Sequence, residues 1–499
     1  MRILQVSSEL FPLLKTGGLA DVAGALPAAL GAQACDVRPL LPGFPAVAAG
    51  LHAAQTIGNF TTPWGERIEV VLGHLPGLGA AGQALKAYVL MAPGLYDRPG
   101  NPYHDAQHHP YTDNHRRFAA LGWGAAHLAY GLDSAWSPQL VHCHDWHAAL
   151  APACMALWDS PHRVPSLFTI HNLAYQGCFD AGCFPELGLP ASAFSVDGLE
   201  FYGQVSFMKA GLVYANHIST VSPTYAREIQ TAEQGFGLDG LLRNRAAQLS
   251  GILNGVDGSV WDPKHDALLP HPFDLRKLTG KALNKAHLQA ETGLQALPDA
   301  PLFTLVGRLT EQKGLPLVLG GIEEIVGGGG QLLVLGSGDA ALEHALAAQA
   351  QAYPGRVAVR LDYDEALAHR IFGGSDVTLV PSRFEPCGLT QLYGMKYGSL
   401  PLVRRVGGLA DTVVDTDLET LDDSSATGFM FDAFDSTPYR SALRRAFALY
   451  RRRADWNRVR HNGMRIASSW EDSARQYRDL YASLISTPSF QASIAHEYF

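Results

Sequence analysis

The sequence lacks a long apolar run, and no stretch of it is long enough to span a bilayer. Cysteines are also scarce: the chain has 6 in 499 residues, with neither zinc-type spacing nor the density of a secreted disulfide framework. The start, MRILQVSSEL, has only a short apolar run before Glu9, which favours a first strand over a signal peptide. Together these absences predict a cytoplasmic protein without membrane attachment.

An excess of positive charge is missing as well. The formal net charge is −9 and the isoelectric point is about 6.1, which argues against nucleic acid or an anionic membrane as the main partner. An anionic small ligand remains compatible with this charge, because local cations can override the global sign. The apolar fraction of 47% is that of a globular protein, and the length predicts two or three domains.

Short apolar runs alternate with helical patterns along the chain. The runs are ILQVS, QLVHC, SLFTI, HISTV, LFTLV, QLLVL, VAVRL and DVTLV. Each has the length and composition of a buried parallel strand, so the alternation predicts two doubly wound α/β sheets. The pattern breaks at SGILNGVDGSVWDP, which predicts domains over 1–250 and 251–468. The remaining segment, 469–499, is predicted to hold an amphipathic helix from Trp470 to Ile485 and a poorly ordered tail.

Residues that can bind ligands or transfer protons follow most of these strands. Ligands bind at the carboxyl ends of strands in open α/β sheets. The residues at these ends are Glu9 and Lys15 to Gly18 after ILQVS, His144, Asp145 and His147 after QLVHC, His171 and Asn172 after SLFTI, Gly307, Arg308 and Lys313 after LFTLV, and Ser382, Arg383 and Glu385 after DVTLV. The sequence therefore predicts a binding site at these strand ends.

The pair Gly17-Gly18 opens KTGGLADVAGALPAAL, and a shorter form, VGGLADTVVD, begins at Val406. The glycines could form only a tight turn. Alternatively, bare amides at a helix start could cradle a phosphate, with Lys15 adding a full charge that the second copy lacks. The run matches neither the Walker A pattern nor the full dinucleotide fingerprint, so ATPase and NAD-binding readings lose support.

The cluster of His142, His144, Asp145 and His147 raises the question of a metal site. No second cluster of matching ligands lies near it in the sequence, so no metal is expected. The pattern favours Asp145 as an acceptor of hydrogen bonds from hydroxyl groups, with the histidines in structural roles.

Two further groups have both a structural and a functional reading. Arg308 and Lys313 flank the turn GRLTEQKG, and they could be solvated or could clamp a diphosphate. Glu385 could cap a helix or could face a ligand beside the amides of the loop that follows it. Cys387 has no obvious base beside it in the sequence and is not expected to be a nucleophile.

An ordered set of motifs covers most of the chain. The motifs are KTGGLADV, LYDRPGNPYHD, YTDNHRRF, HCHDWH, TIHNLAYQG, ILNGVD, GRLTEQKG, SRFEPCGLTQLYGMKYG and GGLADTV. In this order they resemble the bacterial glycogen synthases, the ADP-glucose-dependent family related to plant starch synthases. The resemblance implies the GT-B fold, with two Rossmann-like domains facing a central cleft and a last helix crossing back to the N-terminal domain.

The resemblance also implies the reaction and the residues that perform it. Glucose would pass from ADP-glucose to the non-reducing 4-hydroxyl of an α-1,4-glucan, with retention of configuration and without a cofactor. By the family pattern, Lys15, Gly18 and Asp21 meet the donor from the N-terminal side, Asp145 and His171 lie around the glucose, and Asn254 lies at the hinge side. Arg308 and Lys313 hold the diphosphate, and Tyr363 lies near the adenine. Glu385 lies beside the sugar with the loop of Cys387, Gly388, Leu389 and Thr390. The implied catalytic set is His171, Glu385, Arg308, Lys313 and Asp145.

One position departs from the pattern of retaining GT-B enzymes. The second glutamate of their two-glutamate signature falls on Tyr393, so no glutamate there would anchor the ribose. Retention often proceeds through a covalent intermediate. Since no nucleophile stands out in this sequence, we adopt the family's front-face attack as a hypothesis, in which the leaving phosphate takes the acceptor's proton.

Several alternatives stay open at this point. A UDP-glucose-dependent enzyme, a transferase to a small acceptor such as a sugar phosphate, and a catalytically inactive glucan-binding homologue would share the architecture. Phosphorolysis would require a pyridoxal-phosphate lysine motif, which the sequence lacks. Homo-oligomerisation is left open.

Overall fold

The computed structural model describes residues 1–160, 164–362, 364–466 and 469–487. Tyr363 and the tail residues 488–499 lie outside the described residues, so the expectations for them are not addressed by the structure. The chain divides into two compact units. Unit 1 comprises Met1–Gly255 and the segment that begins at Trp470, and unit 2 comprises Val256–Ser469. The first break falls inside SGILNGVDGSVWDP.

Unit 1 is built on a mostly parallel sheet covered by helices. Its strands are β1 (Arg2–Val6), β2 (Asp36–Pro42), β3 (His52–Thr61), β4 (Arg67–Leu75), β5 (Leu85–Met91), β6 (Leu140–His144), β7 (Ser166–Ile170), β8 (Cys178–Asp180), β9 (Glu200–Phe201), β10 (Gln204–Ser206), β11 (His217–Thr220) and β12 (Leu249–Gly251). Its helices are α1 (Gly18–Gly31), α2 (Pro45–Gly50), α3 (Pro93–Tyr96), α4 (Asn114–Ala129), α5 (Asp145–Ala148), α6 (Leu150–Leu157), α7 (Phe207–Tyr214), α8 (Pro223–Glu228) and α9 (Asp239–Asn244).

The main sheet of unit 1 has the order β12-β11-β7-β6-β1-β2-β5-β4-β3. The strands from β12 to β5 pair in parallel, and β4 and β3 add an antiparallel edge. A second, small sheet has the order β8-β10-β9 and is antiparallel. The sequence patterns identified four strands of this unit and missed the others, partly because β3 carries few buried residues.

Unit 2 repeats the same layering with a fully parallel sheet of order β15-β14-β13-β16-β17-β18. Its strands are β13 (Leu302–Val306), β14 (Gln331–Leu335), β15 (Val357–Arg360), β16 (Val377–Val380), β17 (Leu400–Arg404) and β18 (Phe429–Phe431). Its helices are α10 (Thr279–Thr292), α11 (Leu315–Gly327), α12 (Ala340–Ala352), α13 (Glu365–Gly374), α14 (Thr390–Lys396), α15 (Gly407–Thr412), α16 (Leu418–Asp422), α17 (Ser436–Arg451) and α18 (Arg453–Arg465). The runs LFTLV and QLLVL coincide with β13 and β14.

The last described helix, α19 (Trp470–Ser486), belongs to unit 1 although it follows unit 2 in the sequence. Its aromatic face, with Trp470, Tyr477 and Tyr481, packs into a buried cluster that includes Ile3 and Leu140 from the central strands. The apolar residues of α19 recur at helical spacing, so one face is buried and the other stays in water. In the described part of the chain, every helix falls short of the length and apolar character needed to cross a bilayer.

A buried ion-pair network joins three elements of unit 2. Lys285 on α10 donates to a carboxylate oxygen of Asp376 at 2.7 Å, and both side chains are almost fully buried. Arg460 on α18 lies 3.5 Å from the other carboxylate oxygen. These cations hold the pKa of Asp376 below its usual value against the opposing effect of burial. Since removing one partner leaves an uncompensated buried charge, the network ties α10 and α18 to the strand β16.

We expect Lys285→Met to lower the free energy of unfolding of unit 2 by about 3 kcal/mol, because Asp376 would keep only part of its charge compensation. Urea denaturation followed by circular dichroism measures this. The matched control is Arg370→Met, which breaks the more exposed pair with Glu291 at 2.8 Å and is expected to change stability by less than about 1 kcal/mol. Equal effects of the two substitutions would contradict the structural importance of the buried network.

Candidate active site

The loop that follows β1 is fixed by the carboxylate of Glu9, which is only 2% exposed. One carboxylate oxygen accepts the backbone N–H of Thr16 at 2.6 Å, and the other accepts the Thr16 hydroxyl at 2.5 Å. The Tyr103 hydroxyl also donates to Glu9. Glu9 therefore holds the chain just ahead of α1 in one conformation. The motif LYDRPGNPYHD, which contains Tyr103, was the only sequence signal for this contact.

Lys15 lies just before α1, and the space around the backbone at Gly17 is open. The Lys15 ammonium lies 3.0 Å from a carboxylate oxygen of Asp21 in the first turn and 5.1 Å from the centre of the Phe11 ring. Gly17 precedes the helix with an extended backbone, φ −164° and ψ −169°, that any residue can adopt. A Cβ built at Gly17 would meet no atom within 4 Å. Neither conformation nor packing therefore requires glycine here, and its absence of a side chain leaves the amide end of α1 uncovered, with Gly18 as the first helical residue.

Asp145 lies at the end of β6, in a left-handed backbone conformation with φ +58°. The side chain is 6% exposed, and burial raises its pKa to about 8, although the backbone N–H groups of His171 and Asn172 favour the charged form. The raised pKa favours the protonated carboxyl group of Asp145 at pH 7. The expectation that Asp145 accepts hydrogen bonds from hydroxyl groups stays a prediction, and a protonated carboxyl group can in addition donate one.

Three histidines, His142, His144 and His171, lie near this carboxyl group and contact one another in a chain. The Nδ1 atom of His144 lies 2.9 Å from Nε2 of His171, and burial lowers the pKa of His171 to about 3. Within the described residues, Nε2 of His144 has no hydrogen-bond partner. A buried N–H without a partner is rare and costly, and the tautomer that avoids one has the proton on Nδ1 of His144, which donates to Nε2 of His171. His171 is then protonated on Nδ1, which makes Nδ1 a hydrogen-bond donor.

His142 extends the same chain of contacts toward the last helix. Its Nδ1 atom lies 2.8 Å from the Tyr481 hydroxyl, and its Nε2 atom lies 2.6 Å from the Thr169 hydroxyl. The rings of His142 and His144 are 4.0 Å apart. Over the described ranges, no group of three or more His, Cys, Asp or Glu residues is arranged to hold a metal ion.

Asn254 is placed just before the break between the units. Its side chain is buried, and among the described residues its Oδ1 atom has no hydrogen-bond partner. A buried acceptor of this kind is unfavourable unless something supplies a donor. This makes the residue a good candidate for ligand contact from unit 1.

In unit 2 one of the two cations after β13, Lys313, contacts the carboxylate after β16. Arg308 is exposed, while Lys313 donates to Glu385 at 2.6 Å. Glu385 is 6% exposed and also accepts the Ser382 hydroxyl at 2.9 Å. The helix-capping reading of Glu385 is wrong, because α14 begins at Thr390 without a side-chain cap. Glu385 is instead held by Lys313 and Ser382.

The second Gly-Gly-Leu-Ala-Asp copy, which starts α15, supports the loop that contains Glu385. Gly407 has φ +45°, and a Cβ there would collide with the carbonyl oxygen of Glu385. A Cβ at Gly408 would collide with the carbonyl oxygen of Cys387. The Gly408 amide donates to Glu385 and Pro386 at 3.2 and 3.1 Å. In this copy the glycines are required by packing, whereas Gly17 in the first copy is not.

The residues after Glu385 form the short segment that leads into α14. Cys387 is buried, and Gly388 has φ +71°. Leu389 and Thr390, the last residue before the helix and its first residue, are partly exposed. Tyr393, at the position of the absent second glutamate, is buried with its ring stacked 3.9 Å from that of Trp261. Tyr393 therefore has a packing role in unit 2.

The chain matches known glycosyltransferases along most of its length. The description "Starch synthase catalytic domain" matches residues 2–244, and "Glycosyl transferases group 1" matches residues 293–459. The glycogen synthase of Variovorax paradoxus is 61% identical over 96% of this chain and 98% of its own length. The glycogen synthase of Yersinia enterocolitica is 54% identical over 97% of this chain and 100% of its own length.

Two solved structures show a similar fold. The catalytic domain of starch synthase IV from Arabidopsis thaliana, bound to ADP and acarbose, has a TM-score of 0.88 at 32% identity and covers 97% of this chain and 99% of its own. The sucrose-phosphate synthase of Thermosynechococcus elongatus has a TM-score of 0.60 at 18% identity over 98% of this chain and 100% of its own, a likeness of fold alone. The fold is therefore GT-B, as the motifs predicted.

The burial of Asp145 predicts a pH dependence of stability. The carboxyl group keeps its proton in the folded state up to its pKa of about 8 and loses it near 3.8 in the unfolded chain. The folded state therefore binds more protons between these values, and the free energy of unfolding falls as pH rises through this window, by up to about 1.4 kcal/mol per pH unit.

Asp145→Asn removes this titration, so the difference in unfolding free energy between the variant and the unchanged chain should grow steadily from pH 4 to pH 8. Urea denaturation at a series of pH values measures it. The control Asp422→Asn replaces an exposed carboxylate and should show a pH-independent difference. A flat difference for Asp145→Asn would mean that the buried carboxyl group is ionised in the folded protein.

Proposed function

Because the chain belongs to the glycogen synthase family, we propose that it transfers glucose from ADP-glucose to the non-reducing 4-hydroxyl of an α-1,4-glucan, with retention of configuration. The observation that carries the assignment of roles is the placement of Arg308 and Lys313 after β13, with Lys313 fixed by Glu385 at 2.6 Å. Arginine and lysine at a strand end suit the diphosphate of a nucleotide sugar.

The departing ADP gains negative charge as the glycosyl–phosphate bond breaks. Arg308 and Lys313 in unit 2, and Lys15 with the uncovered amide end of α1 in unit 1, would stabilise that charge. Fixed donors of this kind lower the barrier because they need no reorganisation during the reaction. Asp21 would act through its ion pair with Lys15, which orients the ammonium group.

The glucosyl group would be held by Asp145 and His171 in unit 1. The neutral carboxyl group and the Nδ1 donor of His171 suit hydroxyl groups of the sugar. By the family pattern, Glu385 and the amides of Gly388, Leu389 and Thr390 are also assigned to the sugar. Asn254, with its buried acceptor, would receive a donor from the bound ligand.

Retention without a covalent intermediate is consistent with the state of the carboxyl groups. A neutral Asp145 is a weak nucleophile, and Glu385 already accepts hydrogen bonds from Lys313 and Ser382. The leaving phosphate would then accept the proton of the attacking hydroxyl. Water must be kept out, since it would hydrolyse the donor in place of the glucan.

We further propose a cytoplasmic location. All six cysteines are free thiols, as in proteins of a reducing compartment. Adenine recognition by Tyr363 remains a proposal from the motifs alone.

The direct test of the function supplies labelled ADP-glucose or UDP-glucose to the enzyme with glycogen, or with a sugar phosphate, in the absence of divalent metal. Incorporation of label from ADP-glucose into glycogen supports the proposal. Preference for UDP-glucose, or transfer only to the sugar phosphate, would replace it by the corresponding alternative. No transfer from either donor would identify an inactive homologue.

The diphosphate role of Arg308 predicts that Arg308→Ala lowers kcat by about 100- to 1,000-fold, the usual effect of losing one preorganised donor to the transition state. The fold should survive because the side chain is exposed. Steady-state kinetics and thermal unfolding measure the two quantities. Arg444→Ala removes an equally charged, exposed side chain on α17 and should leave both unchanged. Near-normal kcat in Arg308→Ala would refute the clamp.

The two glycine pairs predict opposite effects of the same substitution. Gly17→Ala should keep stability within about 0.5 kcal/mol but weaken ADP binding on the order of tenfold, about 1.4 kcal/mol, because the new methyl group would take up part of the open space beside Lys15 in which the diphosphate is proposed to bind. Gly408→Ala should instead destabilise unit 2 by about 1–3 kcal/mol through overpacking. Thermal unfolding and calorimetric ADP titration separate the two. Unchanged ADP binding in Gly17→Ala would show that the nucleotide does not approach α1.

A further inference from the structure

Unit 1 contains a cavity of about 590 Å³ that lies beside the small sheet rather than at the ends of the main-sheet strands. It lies between the β9–β10 hairpin, α7 and α9. Its volume is within the range of about 300–1,000 Å³ that is typical of ligand sites. None of the residues assigned above to the donor or to the transferred glucose lines it.

Two turns beside this cavity present aromatic side chains from unfavourable backbone conformations. Tyr202 and Gly203 form the two-residue turn of the β9–β10 hairpin, with φ +50° and +80°. Phe236 and Gly237 repeat the pattern with φ +49° and +84°. The first position of such a turn favours Asn, Asp or Gly. Tyr202 is nevertheless 82% exposed, so burial does not explain why an aromatic ring stands there.

The two turns lie against each other. A Cβ on Gly237 would be 3.0 Å from the Phe201 ring and 3.4 Å from the Tyr202 ring. The rings of Phe201 and Tyr202 meet edge to face, with centroids 4.7 Å apart. The glycine thus lets the second turn approach the rings, and together they form an aromatic surface at the edge of the cavity.

The charged groups around the cavity select against an anionic ligand. Lys209 donates to the carbonyl oxygens of Val196 and Glu200 at 2.6 and 2.5 Å. Arg245 donates to carbonyl oxygens at the end of α7, including that of Leu212 at 2.6 Å. Both cations are therefore engaged by backbone acceptors. Asp197 and Glu200 also line the cavity. One carboxylate oxygen of Glu200 accepts the Gly203 N–H at 2.7 Å, and the remaining carboxylate oxygens can accept hydrogen bonds from neutral donors such as hydroxyl groups.

Contacts between aromatic rings connect this hairpin to the end of β6, where the transferred sugar is proposed to bind. Phe207 begins α7 directly after β10, and its ring centroid lies 6.4 Å from that of Trp146. Trp146 is the residue next to Asp145. The hairpin and the segment that carries Asp145 therefore belong to one packed part of unit 1.

We propose that this cavity is a subsite for the neutral glucan chain, in which a sugar ring packs on Tyr202 and hydroxyl groups donate to Asp197 and Glu200. Aromatic side chains combine a large apolar face with little loss of conformational entropy, which suits the C–H face of a sugar. Asn244 at the end of α9 adds an amide that both donates and accepts. This proposal rests on the proposed function, since it requires a glucan acceptor.

The test replaces the ring without disturbing the turn. Tyr202→Asn places a residue that favours the left-handed backbone in the turn, so the hairpin should keep its stability. We expect the KM for glycogen to rise about tenfold and the binding of glycogen in affinity electrophoresis to weaken by a similar factor. The KM for ADP-glucose should not change. Tyr202→Phe keeps the ring and should bind glycogen as the unchanged chain does.

The control Leu418→Asn removes a similarly exposed apolar side chain from unit 2 and should leave glycogen binding unchanged. Unchanged glycogen binding and KM in Tyr202→Asn would overturn the subsite, as would a Tyr202-dependent binding of glucose 6-phosphate in place of glycogen. The proposed function fails separately, if the unchanged chain incorporates no glucose into glycogen at all.

Discussion

Parallel pairing of neighbouring strands is the constraint on which the candidate functional residues of each unit depend. In unit 1, β1, β6 and β7 are adjacent and parallel, so their carboxyl ends bring Glu9, Asp145 and His171 to one edge of the sheet. In unit 2, β13, β16 and β17 are adjacent in the same way, which brings Lys313 and Glu385 together although 72 residues separate them. Each unit thus assembles its polar residues from segments that are distant in the sequence.

The sequence Gly-Gly-Leu-Ala-Asp has a different structural role in each of its two copies. In unit 1 the glycine before α1 leaves open space beside Lys15. In unit 2 the glycines of α15 let a helix approach the backbone of Glu385 and Cys387. A packing glycine stabilises the loop that carries a functional carboxylate, whereas an uncovered glycine leaves room for a ligand. Only the surroundings of each copy distinguish the two, which is why the repeat alone left the question open.

Strand ends and their polar residues could be predicted from the sequence because buried parallel strands are short, apolar and closed by polar residues. The state of those residues could not be predicted. Burial raises the pKa of Asp145, and the tautomer of His171 depends on its contact with His144. The sequence left both a capping and a ligand-facing reading open for Glu385, and its contact with Lys313, 72 residues away, is visible only in three dimensions. Tyr202 could not be recognised as unusual from the sequence, because this requires both its backbone φ angle and its exposed fraction.

The contact between Tyr481 and His142 also has a consequence for biosynthesis. Residues 1–255 leave the ribosome long before α19 does, so a nascent unit 1 lacks the hydroxyl group that completes the hydrogen bonds of His142 and the aromatic face that covers β1 and β6. The histidine chain that ends at His171 is therefore completed only when translation of the last helix ends. A polypeptide that ends at Ser469 contains every residue assigned to the sugar and the diphosphate, yet His142 lacks its contact with Tyr481.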